Sequence, residues 1–150
     1  MVLTFDCSTT VERKLEDVFA FISNFETKVQ WNPRCHSSQR IRGDGGLGTL
    51  YREGGKSVLQ YTEFVCEVVE FEPPSRVATR IVEGEPMGML GRFSFTSPRA
   101  GVTTVTLNAS FSPTGPLRIV GPVFQVLGRR AQRQNFAQLK QVLENVLPRS

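Results

Sequence analysis

The sequence predicts an α+β fold: a seven-stranded antiparallel sheet, two short helices and one long C-terminal helix. Three observations predict it. Strand-like runs follow one another through turn chemistry too short for parallel crossovers. Helical periodicity occurs once near the start and once, at greater length, at the end. The chain of 150 residues suits a single domain, here 1–150, able to bury a core of its own.

Residues 2–11 are dominated by Val, Thr and Phe, which suits an opening strand. Leu15, Val18, Phe19 and Ile22 then recur at spacings of three and four, with Glu16 and Asp17 early, where acidic groups favour a helix N-terminus. This short helix is predicted to end near Ser23-Asn24. Residues 25–30 supply another turn or two before Trp31-Asn32-Pro33, because the residue preceding a proline is pushed out of the helical region.

Six strand-like stretches follow, at about 37–42, 48–54, 57–71, 76–82, 88–96 and 102–112. Their separators are the glycine loop 43–48, Gly54-Gly55, Glu72-Pro73-Pro74, residues 83–86 and residues 97–101. A meander is predicted, with the first strand added at an edge. Alternation places Val77, Thr79 and Ile81 on one face, with Phe93, Phe95, Val105, Leu107, Ala109 and Phe111; Arg80, Arg92, Thr104 and Thr106 fall on the other. Such a sheet must cover its apolar face. The tail is the candidate, since Val120, Phe124, Leu127, Ala131, Phe136, Leu139, Val142 or Leu143, and Val146 keep a helical period after Gly121-Pro122.

Composition excludes several classes. With 39% hydrophobic and 21% charged residues the chain does not read as disordered. No apolar run is long enough for a membrane span, and the start lacks the features of a signal peptide, so cytoplasmic residence is expected. Cys7, Cys35 and Cys66 are odd in number and far apart, which gives neither a disulfide framework nor a zinc pattern. Net charge is +4, concentrated in the tail, where Arg118, Arg129, Arg130, Arg133, Lys140 and Arg149 face Glu144 alone. A solvated helix surface is the favoured reading, because no nucleic-acid motif accompanies it.

The order of elements and several motifs resemble the START-like (SRPBCC) superfamily, which includes the Bet v 1 allergens and the bacterial polyketide cyclase/dehydrase and lipid-transport proteins. The matching pieces are residues 10–23, Trp31-Asn32-Pro33, the glycine loop before Thr49-Leu50-Tyr51-Arg52, Val68-Val69-Glu70-Phe71-Glu72-Pro73-Pro74-Ser75-Arg76, and the helix ending Ala137-Gln138-Leu139-Lys140. Lys14 departs from the proline of many relatives. The resemblance implies a helix-grip fold, a curved sheet around the long helix, with an apolar cavity between them. It implies no fixed catalytic set, so function has to be argued from the site.

Gly43-Asp44-Gly45-Gly46-Leu47-Gly48 satisfies GxGxxG, yet a strand-like run follows it, which speaks against dinucleotide binding; a flexible turn is the preferred reading, with a lid at the cavity mouth as one role open to it. His36, the one histidine, has no metal-ligand companions and reads as a surface or loop residue. Trp31 and Tyr51 join an apolar body to a polar tip; Tyr51 shares its face with Thr49 and Glu53, whereas Tyr61 alternates with Glu63 and Glu67 and is expected outside. Met87, Met89 and Leu90, with Gly88 and Gly91, form either an adaptable cavity wall or ordinary core. Phe93, Phe95, Phe111 and Phe124 line either a void or a closed core.

The candidate ligand-binding set is therefore Trp31, Tyr51, Phe93, Phe95, Phe111 and Phe124. No catalytic residue is identified, and no metal or cofactor is expected. The expected partner is an apolar small molecule, without nucleic acid or an integral membrane segment; a homodimer is left open. Three functions compete: a binding or transport module for a lipid-like or aromatic molecule; a cyclase or dehydratase using His36, Tyr51 or Arg80 to handle protons; and a membrane-surface or protein interaction module using the basic tail helix.

Overall fold

A computed structural model describes residues 2–56, 61–113, 119 and 121–149, apart from the side chain of Phe124. Its elements in chain order are β1 (Leu3–Val11), α1 (Leu15–Ser23), a 3-10 turn (Phe25–Thr27), α2 (Lys28–Trp31), β2 (Cys35–Arg42), β3 (Leu50–Lys56), β4 (Tyr61–Glu72), β5 (Arg76–Gly84), β6 (Leu90–Arg99), β7 (Val102–Phe111) and α3 (Gly121–Val146). The strands form one antiparallel sheet in the order β1-β7-β6-β5-β4-β3-β2. The predicted meander is present, and β1 joins its far edge against β7, from Leu3 opposite Phe111 to Val11 opposite Thr103.

The sheet curves because its ladders are interrupted. Register shifts lie between Cys35 and Ser37 and between Arg40 and Arg42 in β2, at Val65/Cys66 and Val68/Glu70 in β4, and at Thr96/Arg99 in β6. Each extra residue bends its strand and increases local twist. Val77, Ile81, Phe93, Phe95, Val105, Leu107 and Ala109 are buried on the concave face. On the convex face Glu70 joins Arg76 at 3.0 Å and Arg92 at 3.1 Å. These two guanidiniums outweigh the effect of burial and hold the Glu70 carboxyl below its ordinary range.

Helix α1 buries Val18, Phe19 and Ile22 at the predicted spacing. The ring of Phe19 meets Phe95 edge-on at 5.2 Å and Phe71 at 5.7 Å. Lys14 is the N-cap residue of the helix with φ −66°, a value that a proline ring would also impose. Asn24 ends α1 and accepts the Glu26 N–H through Oδ1.

Helix α3 crosses the concave face and buries Ala131, Asn135, Phe136, Leu139 and Leu143. The tail pattern needs two corrections: Leu127 is 41% and Val146 55% exposed, outside the buried stripe of Ala131, Asn135, Phe136, Leu139 and Leu143, and of the alternatives Val142 and Leu143 it is Leu143 that is buried. Val120 and the Phe124 side chain lie outside the described residues. Where α3 passes β1 it has Gly128, at which any Cβ would overlap the edge of the Phe5 ring. The far end of α3 is gripped by Arg13, which is 5% exposed and donates to the carbonyl oxygens of Leu147 and Glu144.

Candidate functional site

Between α2, α3 and the open half of the sheet lies a hollow of two adjoining chambers, about 250 Å³ on the outside and about 110 Å³ within. On α3 the positions Gly128, Ala131, Gln132 and Asn135 face the outer chamber, at the helical spacings of three and four that make one face. The walls common to both chambers include Phe64, Ile81 and Met89, which are apolar, and Lys28, Glu53 and Gln132, which are not.

The polar wall is built by α2 and β3. In β3, strand alternation turns Tyr51 and Glu53 to the buried face, at 1% and 2% exposure. A lone carboxylate there would be costly, and Lys28 Nζ lies 2.9 Å from Glu53 Oε1. The Cys66 thiol donates to Glu53 Oε2 at 3.5 Å. Burial pulls the Lys28 ammonium toward neutrality, but the Glu53 carboxylate, with Cys35 and Cys66, outweighs it and raises Lys28 above its ordinary range. Burial first, and then Glu53, raise the Cys66 thiol. The pair is thus a charged, self-neutralised patch beside the apolar wall residues Phe64, Ile81 and Met89. Two further wall residues have a buried polar atom with no hydrogen-bond partner among the described residues, Nε1 of Trp31 and Oδ1 of Asn135. An unpaired buried group of this kind costs about 1–3 kcal/mol.

Of the residues expected from sequence, Trp31 and Phe93 line the inner chamber, with ring centroids 6.2 Å apart, and Phe111 lines the outer one, stacked on Phe5 at 6.1 Å. Tyr51 and Phe95 lie elsewhere in the core: Phe95 packs on Phe19, and Tyr51 meets Phe25 at 5.5 Å. Tyr51 borders a separate surface cleft with Arg40, Asp44 and Gly45. Met89 and Gly91 are wall residues, whereas Met87 is 54% exposed.

The proton-handling candidates do not converge on the hollow. His36, the extra residue at the register shift between Cys35 and Ser37, is exposed beside Tyr61, with ring centroids 6.0 Å apart, and Arg80 is exposed because alternation in β5 sends its side chain outward. The glycine loop is no lid to this hollow. It folds back on itself, Thr49 N–H donating to the Gly46 carbonyl and Gly45 N–H to Thr49 Oγ1, and it delivers the chain into β3. Gly43 turns there with φ +97°, and a Cβ would lie 2.6 Å from Thr49 Oγ1. Sequence reasoning missed Lys28, Glu53 and Asn135. Glu53 shares the Tyr51 face, and Asn135 lies four residues from both Ala131 and Leu139, so each occupied a position of inward period. Among the described residues no group of three or more His, Cys, Asp or Glu side chains is placed to hold a metal ion.

The model of the polyketide cyclase/dehydrase and lipid transport family matches residues 3–144, and the chain belongs to that family. Its fold is similar to that of a START superfamily protein from Mycobacterium smegmatis (TM-score 0.84, 18% identity, 96% of this chain and 99% of that one). It is also similar to a protein from Thermus thermophilus (TM-score 0.81, 17% identity, 95% and 99%). A third similar structure is the ZhuI aromatase/cyclase from Streptomyces sp. R1128 (TM-score 0.77, 12% identity, 97% and 93%). At these identities the likeness is one of fold. The comparison with curated proteins gave no match. No helix among the described residues is long and apolar enough to cross a membrane.

Proposed function

We propose that this protein binds a hydrophobic small molecule, lipid-like or aromatic, in the hollow between the sheet and α3, and carries or sequesters it in the cytoplasm. The observation that carries the reading is the two-chambered cavity, whose walls are largely aromatic and aliphatic, with the self-neutralised Lys28–Glu53 pair, Arg34 and Lys56 at the outer chamber, and a few amide and hydroxyl side chains. Apolar walls of this kind favour an apolar occupant over water. Burying about 300 Å² of ligand at about 25 cal/mol per Å² provides roughly 7 kcal/mol before association costs, so affinity no tighter than micromolar is expected. Titration with the neutral fluorophore N-phenyl-1-naphthylamine tests it: one saturable site at micromolar to tens of micromolar supports the reading, and no uptake in that range rejects it.

Glu53 favours a second reading, a cyclase or dehydratase. A buried carboxylate beside an ammonium, facing the cavity, is a group able to accept a proton from a bound carbonyl compound. Here Glu53→Gln would abolish turnover of a reactive polyketone while leaving a folded protein, and a variant with unchanged turnover would dismiss Glu53 from the chemistry.

A further inference from the structure

The outward face of α3 is apolar at its start and cationic behind it. Val123 is 61% and Val126 65% exposed, Leu127 is exposed beside them, and Ile119, just ahead of the helix, is 86% exposed. Arg129, Arg130 and Arg133 follow, all of them exposed. Val123, Val126, Arg130 and Arg133 recur at spacings of three, four and three, so they share one stripe of the helix, while Ala131, Asn135, Leu139 and Leu143 form the buried one. No aspartate or glutamate occurs between Ser112 and Leu143. The ion pairs among the described residues are made by Lys28, Arg76 and Arg92, so none of these three arginines is neutralised there.

We infer that this face docks on the surface of a bilayer containing anionic phospholipid. Exposed aliphatic side chains leave water on entering the interface, and guanidiniums donate to phosphate oxygens in bidentate pairs. Val123 to Arg133 covers about 15 Å of helix axis, so a helix tipped start-first across the headgroup layer of about 5–7 Å seats its valines at the acyl boundary and its arginines among the phosphates. A second copy of the chain fits this face poorly, because across a twofold axis its arginines would meet one another. A nucleic acid would leave the valines without partners, since aliphatic side chains offer bases no stacking surface. The opposite face of α3, at Gly128, Ala131 and Gln132, walls the outer chamber, so docking holds the hollow about 10–12 Å, one helix diameter, from the lipid.

Cosedimentation of the full chain with vesicles of phosphatidylcholine containing about 30% phosphatidylglycerol, and with vesicles of phosphatidylcholine alone, tests the docking. The protein should bind the anionic vesicles in about 0.05 M salt, lose about tenfold in partition at about 0.5 M, and leave the neutral vesicles unbound. Replacing Arg129, Arg130 and Arg133 together by glutamine should weaken binding about a hundredfold, about fivefold for each charge. Val123→Ser with Val126→Ser keeps the charge and should weaken it about tenfold through lost apolar burial. Both variants alter exposed positions, so they should keep the wild-type melting midpoint and leave N-phenyl-1-naphthylamine uptake as it is in the wild type, which separates this result from the cavity reading. Absent binding to the anionic vesicles, or binding unchanged by the arginine substitutions, overturns the inference. Binding indifferent to the serines overturns it too, and tighter capture of an RNA duplex than of the vesicles reassigns the face to nucleic acid.

Discussion

Arg13 Nε donates to the carbonyl oxygen of Leu147 at 3.0 Å, which fastens the last helix to the segment joining the first strand and the first helix. The same guanidinium bonds the carbonyl of Glu144, and the backbone carbonyl of Arg13 accepts from Thr103 Oγ1 at 2.8 Å. Carbonyls at a helix C-terminus have no partners within the helix, and a cation is well placed among them. Replacing Arg13 by Met should cost about 2–3 kcal/mol, read as a lower urea midpoint at unchanged slope. A loss under about 0.5 kcal/mol would show that solvent replaces the contacts.

Gly128 and Phe5 make a second testable contact. Alanine is ordinarily about 1 kcal/mol better than glycine inside a helix. Here its Cβ would collide with the buried Phe5 ring, so Gly128→Ala should destabilise the protein. In a Phe5→Leu background the obstruction is gone, and the same change should become neutral or stabilising. A thermal-unfolding double-mutant cycle with additive effects would refute the contact.

Occupying the inner chamber tests the cavity by steric exclusion. Ala109 lies on that wall at 3% exposure. Ala109→Trp should place its ring in the space and abolish fluorophore uptake while retaining a cooperative melt. A folded variant with wild-type affinity would move the ligand site elsewhere.

Alkali should weaken the fold through its thiols. Burial, then Asp6, push Cys7 from 9.0 up to about 11, and burial also raises Cys35 and Cys66. Between the two Cys7 values the unfolded chain has lost a proton that the folded chain retains, so unfolding free energy falls as pH rises from about 9 toward 11. Lys28 is raised as well, so its stabilising share is complete below an unfolded value of about 10.4 and declines only as pH climbs through the higher folded one. Urea midpoints should therefore drop from about pH 9 to about 10.4, and Cys7→Ala should show a shallower drop. An identical slope in the variant would clear Cys7 of the effect.

The scaffold was legible because local rules and tertiary demand agree along it. Val77, Phe93, Val105 and the residues two positions from them keep to one face, turn residues separate the runs, and α1 follows its apolar spacing. The hollow was only partly legible. Trp31, Phe93 and Phe111 reach it, but Phe95 and Tyr51, chosen on the same grounds, fill core that Phe19 and Phe25 complete. Alternation reveals which face is inward; it does not reveal where opposing side chains meet and where they leave a gap. Glu53, placed on the Tyr51 face, was left out of the site for a different reason. A glutamate on the Tyr51 face suggests solvent until Lys28, 25 positions away in sequence, is found beside it.

An open sheet has two outer strands whose backbone groups invite pairing with other chains, and here both are β-strands of substantial length. On β1 the Thr4 carbonyl accepts from Gln125 Nε2 of α3 at 3.1 Å, and on β2 the Arg40 N–H donates to the Glu26 carboxylate at 3.0 Å. The two register shifts in β2 interrupt its ladder further. A fibril-like stack or a sheet continued from molecule to molecule would have to displace these side chains first. Gln125 and Glu26 thereby guard the margins against aggregation, a protection that concentrated samples of a Glu26→Ala and Gln125→Ala variant would lack.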